Sequence, residues 1–305
     1  MEGDRHFDVK PPSRAGFQVP VTSLRSMIEA ASRNAQPSMT ESAFDRIATQ
    51  YDRDFTDTRL ARILREAVWM RLARHIRPGS RVLEIGCGTG EDAVWLARQG
   101  AHVLATDVSQ AMLDVTRQKA QRAGVADRVE TQLLDAAAPL SRVLGEGPGV
   151  RAAFSNFGAL NCVGDLHPIA HALAEWVPPG GGLVLVLINR WCAWEIAWHL
   201  LHLQPRVAFR RLRRDGVDAR VGGGTVHTWY PSIGSIRRTF TPHFELKRVT
   251  GLGVCLPPSY LEPVVARRPR LFLALSRIER SAASTPVLKR LADHVILEFE
   301  RTASA

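Results

Sequence analysis

The run Val82-Leu83-Glu84-Ile85-Gly86-Cys87-Gly88-Thr89-Gly90 constrains the fold of this chain more than any other feature. A short apolar strand passes into a GxGxG turn, and a helical pattern over Asp92–Arg98 opens directly behind it. Glycine is required where backbone must come close to a ligand or adopt positive φ. The helix N-terminus offers unpaired N–H groups to an anionic end, here a carboxylate. Glu84, just before the glycines, stands where an ammonium group can be received. A dinucleotide fingerprint, GxGxxG, needs glycine at position 91, which is Glu91. No GK[ST] follows, which excludes a phosphate-cradling loop as well.

Strand and helix patterns alternate around this turn. Arg81–Ile85, His102–Thr106, Val129–Leu134 and Val150–Ser155 read as strands. Ser109–Arg122 and Asp165–Trp176 read as helices, with Ser109 as an N-cap. Leu183–Ile188 is a continuous apolar run, as expected of a strand buried on both faces. The rhythm predicts an α/β fold with a doubly wound, mostly parallel sheet and right-handed crossovers. Asp107 ends the second strand and Asp135 the third, at the carboxyl edge where open α/β sheets bind ligands. There Asp107 can accept hydrogen bonds from both hydroxyls of a ribose, and Asp135 from an adenine amino group.

VLEIGCGTG, followed by ATDVSQAML and LLDAAA, closely resembles the class I S-adenosylmethionine (SAM)-dependent methyltransferases. The resemblance covers residues 42–190 strongly and the tail loosely. It implies a Rossmann-like, seven-stranded sheet whose closing strands, Phe244–Val254 and His294–Arg301, form a hairpin at one edge. It also implies SAM as cofactor and S-adenosylhomocysteine as product. Gly86, Gly88 and Gly90 would hold the methionine end, Asp107 the ribose and Asp135 the adenine, with Met112 packed on the adenine ring. Cys87, Val108, Ala136 and Asn156 join this expected cofactor set. Upstream, Phe44-Asp45-Arg46-Ile47-Ala48 with Tyr51-Asp52 is similar to the N-terminal helix of ubiquinone- and menaquinone-type methyltransferases, in which the aromatic residue covers the cofactor. The same resemblance sets Ser155–Asn161 beside the transferable methyl, and Tyr51 and Phe157 are aromatic candidates for a sulfonium.

Residues 1–40, with Pro11-Pro12, Pro20 and Pro37, read as a poorly ordered extension. Residues 41–305 are expected to form one methyltransferase domain. Within it we expect a helical cap over 41–78, the cofactor-binding core over 79–189, a lid or insert over 190–230, and closing strands with a helical insert over 231–305. Residues 190–215 read as a long helical stretch, Thr225–Tyr230 as an extra strand and 257–290 as a proline-rich, basic insert. No stretch approaches ~18 uninterrupted apolar residues and the first residues hold no apolar block, so neither a spanning helix nor a secretory signal is expected. Four scattered cysteines without metal-site spacing point to a reducing cytoplasm and no bound metal.

The expected acceptor is a small, apolar or lipid-like molecule methylated on oxygen or carbon. Ser155–Asn161 lacks the [DN]PP[YF] pattern of enzymes that methylate base amino groups. In-line displacement mainly requires alignment, which supplies roughly 7–11 kcal/mol. If a base is needed, His167, His227, Tyr230 and Glu195 are the candidates, each with a structural alternative. Trp191, Trp194 and Trp198 recur at helical spacing with Leu201, followed by Arg206, Arg210, Arg211, Arg213, Arg214 and Arg220. That segment reads as a core-packing helix, a lid over the acceptor or a membrane-surface element. The net charge of +10 keeps an RNA methyltransferase, with these arginines tracking phosphates, as the alternative reading. A non-catalytic SAM-binding protein is a further alternative. Monomer and dimer both remain open.

Overall fold

Seven strands make one twisted sheet in the order β3-β2-β1-β4-β5-β9-β8. The computed structural model describes residues 39–138 and 149–303, so the expected N-terminal extension lies almost entirely outside the described residues. The strands are β1 (Arg81–Ile85), β2 (His102–Asp107), β3 (Val129–Leu133), β4 (Ala152–Ser155), β5 (Gly182–Ile188), β8 (Phe244–Leu252) and β9 (His294–Arg301). β1 to β5 are parallel, and β9 runs antiparallel between β5 and β8. The chain winds outward from β1 to β3, then returns to β4 on the other side of β1. This reversal opens a crevice at the carboxyl ends of β1 and β4.

Alternation along the strands explains why both faces need cover. Leu83 and Ile85 of β1 join one core with Leu183, Leu185 and Leu187 of β5, whereas Val82, Val184 and Val186 join the other. Helices α3 (Glu91–Arg98) and α4 (Gln110–Arg122) flank the sheet, as does α5 (His167–Trp176). Ser109 caps α4, accepting from the Met112 N–H.

The cap consists of α1 (Met39–Ile47), a π turn over Asp52–Thr56 and α2 (Arg59–Leu72). The helical face expected to run on to Tyr51 is thus broken after Ile47. α1 is pinned by Asp45, which accepts from the Ser109 hydroxyl (2.5 Å) and the Ala111 N–H (3.2 Å). The insert after β5 also departs from the long helix expected there. It forms α6 (Ala193–Leu201), the short α7 (Pro205–Ala208), a 3-10 turn over Arg210–Leu212, and the hairpin of β6 (Val217–Val221) and β7 (Gly224–Thr228). Pro205 cannot extend α6, and Leu203 turns the chain with φ 57°. α8 (Ile233–Phe240) precedes β8, while α9 (Glu262–Arg267) and α10 (Pro269–Ser284) follow it. The prolines at the starts of α9 and α10 begin helices rather than prevent them. Among the described residues no helix is long and apolar enough to cross a membrane.

The arginine cluster is divided by the fold. Arg211 is buried, donating to Glu195 Oε2 (2.6 Å), to Asp293 Oδ1 (2.8 Å) and to the carbonyls of Asn189 and Asp293. Arg210 donates to the other Glu195 oxygen (2.9 Å), and Arg213 pairs with Asp215. These arginines do not form the continuous phosphate track that the RNA reading requires.

Burial alone would raise the Asp293 carboxyl, but His294 and Arg211 hold it below the usual carboxylate range. A depressed folded-state value stabilises the fold above the unfolded pKa, about 4, and the contribution is lost as pH falls through the folded value. Urea titrations are expected to show wild-type stability declining as pH drops below about 4, with a shallower decline in Asp293→Asn. At neutral pH, Arg211→Met should cost about 3–5 kcal/mol, because two buried carboxylates each lose their buried cationic partner and keep only Arg210 and His294 beside them.

Candidate functional site

The crevice at the strand reversal is a cleft enclosing about 1190 Å³ of space, part of it open to solvent. Its floor is the glycine turn. Gly88 has φ 53°, and a Cβ there would meet nothing within 4 Å, so glycine is needed for the backbone conformation and leaves that side clear for a ligand. Gly86 and Gly90 serve packing, since a Cβ would run into Ala159 and Thr116 respectively.

Asp107 ends β2 at the cleft wall. One carboxylate oxygen accepts from the Gly88 N–H (2.8 Å) and the other from the Ser109 N–H (3.0 Å). A carboxylate has about four acceptor positions, so acceptor capacity remains after these contacts. Burial raises the Asp107 carboxyl above its ordinary value, while the N–H donors of Ser109, Gly88 and Val108 oppose the shift. Asp135 sits on the exposed turn after β3 and accepts from the Ala137 N–H (2.8 Å). Met112, Leu134, Leu160 and Val163 give the cleft apolar wall between these groups.

The opposite end is organised by Asp92, buried in the first turn of α3. It accepts from Arg65 Nη1 (2.6 Å), Trp69 Nε1 (2.7 Å) and Asn156 Nδ2 (2.8 Å). Arg65 lines the cleft, and its guanidinium lies 4.7 Å from the centre of the Phe157 ring. Burial alone would lower the Arg65 pKa, but Asp92 more than compensates, so the cleft holds a permanent cation. Arg65 Nε is buried without a hydrogen-bond partner among the described residues. Phe157 adopts φ 44°, a strained value for a bulky residue, and its N–H is held by Asn156 Oδ1 (2.8 Å). Tyr51 closes the cleft from the cap, its ring stacked on Phe55 at 5.0 Å. Burial pushes its phenol upward, with Arg65 opposing. Burial also pushes the Cys162 thiol up to about 11. The Tyr51 phenol and the Cys162 thiol therefore carry their protons at neutral pH.

Of the residues expected at the cofactor, Tyr51, Gly86, Cys87, Gly88, Asp107, Val108, Met112, Asp135, Ala136, Asn156 and Phe157 line this cleft. Glu84 does not. It is buried within β1, and burial, with Asp92 and Asp107 adding, pushes its carboxyl well above the usual range. Gly90 also stands back from the cleft as a packing residue. None of the four candidate bases lines it. His167 is an exposed residue at the start of α5, 2.7 Å from Asp165. His227 lies on the β6–β7 hairpin between Asp218 and the Asp215 carbonyl. Glu195 is committed to Arg210 and Arg211, and the Tyr230 ring lies beside Arg211 at 5.7 Å. Their places after the fourth and fifth strands suggested the site, but the insert carries them to partners of its own. Asn161 is likewise structural: buried, it ties the Ile188 backbone to the Trp229 carbonyl. The residues missing from the expected set are Arg65 and Asp92, which are 27 positions apart and show no local sign of pairing.

Comparison with known proteins decides what kind of cleft this is. Residues 82–181 match the family model described as a methyltransferase domain. The core is a class I methyltransferase domain. A ubiquinone biosynthesis O-methyltransferase of Xylella fastidiosa is 35% identical over 112 residues, covering 37% of this chain and 43% of the relative. A demethylmenaquinone methyltransferase of Clavibacter sepedonicus is 36% identical over 109 residues, covering 35% and 42%. The chain thus spans less than half the length of these curated relatives. A solved structure described as a putative S-adenosylmethionine dependent methyltransferase from Listeria monocytogenes superposes with TM-score 0.53 at 15% identity, covering 77% of this chain and 96% of that one. At that identity the likeness concerns the fold.

Glycine substitutions separate the two needs in this methyltransferase turn. Gly88→Ala should cost about 1–2 kcal/mol, for positive φ alone. Gly90→Val should cost more in urea denaturation, because it adds a clash with Thr116 to the same backbone penalty.

Proposed function

We propose that the protein transfers a methyl group from SAM to a small, apolar or lipid-like acceptor, on oxygen or carbon. The observation that carries this reading is the Asp107 carboxylate, fixed by Gly88 and Ser109 at one end of the cleft, with the Arg65 cation at the other. The donor set suits the parts of SAM. Asp107 keeps acceptor capacity for the ribose hydroxyls, Asp135 and the Met112–Leu134 wall suit the adenine, and Arg65 suits the methionine carboxylate. When bound, SAM supplies an electrophilic methyl and its own leaving group.

The chain's residues then bind, orient and exclude water. Phe157 carries Arg65 on one face and Tyr51 carries Phe55 on one of its own, so both rings remain candidates to meet a sulfonium. Phe44, Leu160 and Val163 give an acceptor apolar walls. The relatives named for ubiquinone and menaquinone steps favour the same acceptor chemistry. The expected division into a cap (41–78), a core (79–189), an insert (190–230) and closing strands (231–305) serves this reading, with the cap covering the cofactor side.

Calorimetric titration of cofactor-free protein tests it. SAM and S-adenosylhomocysteine should both bind and NAD should not. Asp107→Ala should weaken both adenosyl ligands about tenfold or more, since a hydrogen bond to a charged group is worth ~1.5–3 kcal/mol. Absence of binding by folded wild-type protein would sink the proposal.

A further inference from the structure

We propose that the insert after β5 and the turn before β9 together form a docking surface for an anionic phospholipid bilayer. This inference rests on the proposed function and names the partner of the same cleft. Leu201 and Leu203, at the end of α6, are 81% and 88% exposed. Leu203 is held out in a left-handed turn that a branched side chain rarely adopts. Trp191 (44% exposed), Leu200 and Phe209 extend the apolar surface. A second element lies against it. Asn189 Nδ2 donates to the carbonyls of both Trp191 and Arg290, and the Ala193 N–H donates to the Leu291 carbonyl. The exposed Val287 and Leu288 lie in the turn that leads into Arg290 and Leu291.

Charge identifies the occupant. Arg206, Arg214 and Arg290 are exposed, and none has an acidic partner among the described residues. Of the acids in this region, Glu195 and Asp293 are buried around Arg211, and the exposed Asp215 and Asp218 are paired with Arg213 and His227. Exposed leucines and tryptophan amid unneutralised arginines match the boundary between acyl chains and anionic headgroups. A second copy of the chain would bring an equally cationic face against this one in a two-fold pairing, which repels. RNA would meet the arginines but leave the leucines in water. The insert also leaves the sheet at the carboxyl end of β5, the edge that holds the cleft, so the bilayer would lie on the side from which a lipid-borne acceptor enters.

Flotation of the full chain with phosphatidylcholine vesicles, with and without phosphatidylglycerol, tests the proposal. Binding is expected only with phosphatidylglycerol, falling with salt. Arg206→Glu with Arg214→Glu should reduce it by roughly tenfold or more. Leu201→Ser with Leu203→Ser, both at exposed positions, should reduce it comparably at low salt, with the urea-unfolding midpoint unchanged as the control for folding. Brominated acyl chains should quench wild-type fluorescence more than that of Trp191→Phe. No binding, or binding insensitive to the leucine pair, overturns the proposal. So does self-association by light scattering that the leucine pair abolishes, which would assign the face to a second copy. An RNA gel shift lost in the arginine pair, with no vesicle binding, overturns it in favour of nucleic acid. Calorimetry on the same preparations separates the two readings: vesicle binding without adenosyl-ligand binding leaves this surface intact and removes the methyl-transfer proposal, and the converse result removes only the surface.

Discussion

The buried Asp92 carboxylate joins the parts that make the cleft. Its three side-chain donors come from α2, through Arg65 and Trp69, and from the loop after β4, through Asn156. One anion thereby ties the cap, the helix behind the glycine turn and the loop on the far side of the strand reversal. Removing such a group would leave a buried guanidinium unpaired, which is more costly than never having had the pair. The anion also keeps Arg65 charged inside a largely apolar pocket, and it fixes the Asn156 side chain that supports the strained backbone of Phe157.

The molecule contains a second buried ion cluster with a different consequence. Arg211, Glu195 and Asp293 lie between α6 and the start of β9, away from the cleft lining. Their mutual neutralisation keeps Glu195 off the insert's surface, where Arg206 and Arg214 have no acidic partner among the described residues. The cluster at Asp92 shapes a binding pocket, whereas the cluster at Arg211 shapes an exterior. Both follow the same rule, that a buried charge requires a partner with good geometry.

Much of the architecture was legible in the chain. The strand and helix alternation from Arg81 to Ile188, the Ser109 cap and the two closing strands appear close to their expected limits. These elements depend on periodicity and turn chemistry, both local properties. The glycine turn, Asp107 and Asp135 were legible for a related reason, since strand ends at one sheet edge converge whenever the sheet is doubly wound. The inserts were read less well. The helical insert expected between the closing strands resolves into two proline-initiated helices after β8, and a hairpin stands where one strand was expected.

By itself the sequence determined the half-fold that makes the floor and one wall of the cleft, because glycine at positive φ and acids at strand ends act through backbone geometry within a few residues. Only the tertiary structure decided which charges meet. Arg65 and Asp92 are 27 positions apart, and Arg211 and Asp293 are 82 apart. A charged side chain carries no mark of its partner, and its protonation, exposure and role follow from the burial and neighbours that folding supplies. For that reason Glu84 is a buried acid behind the wall, Glu195 is half of an ion pair and Arg211 is interior, although each looked like a surface or site residue in the chain.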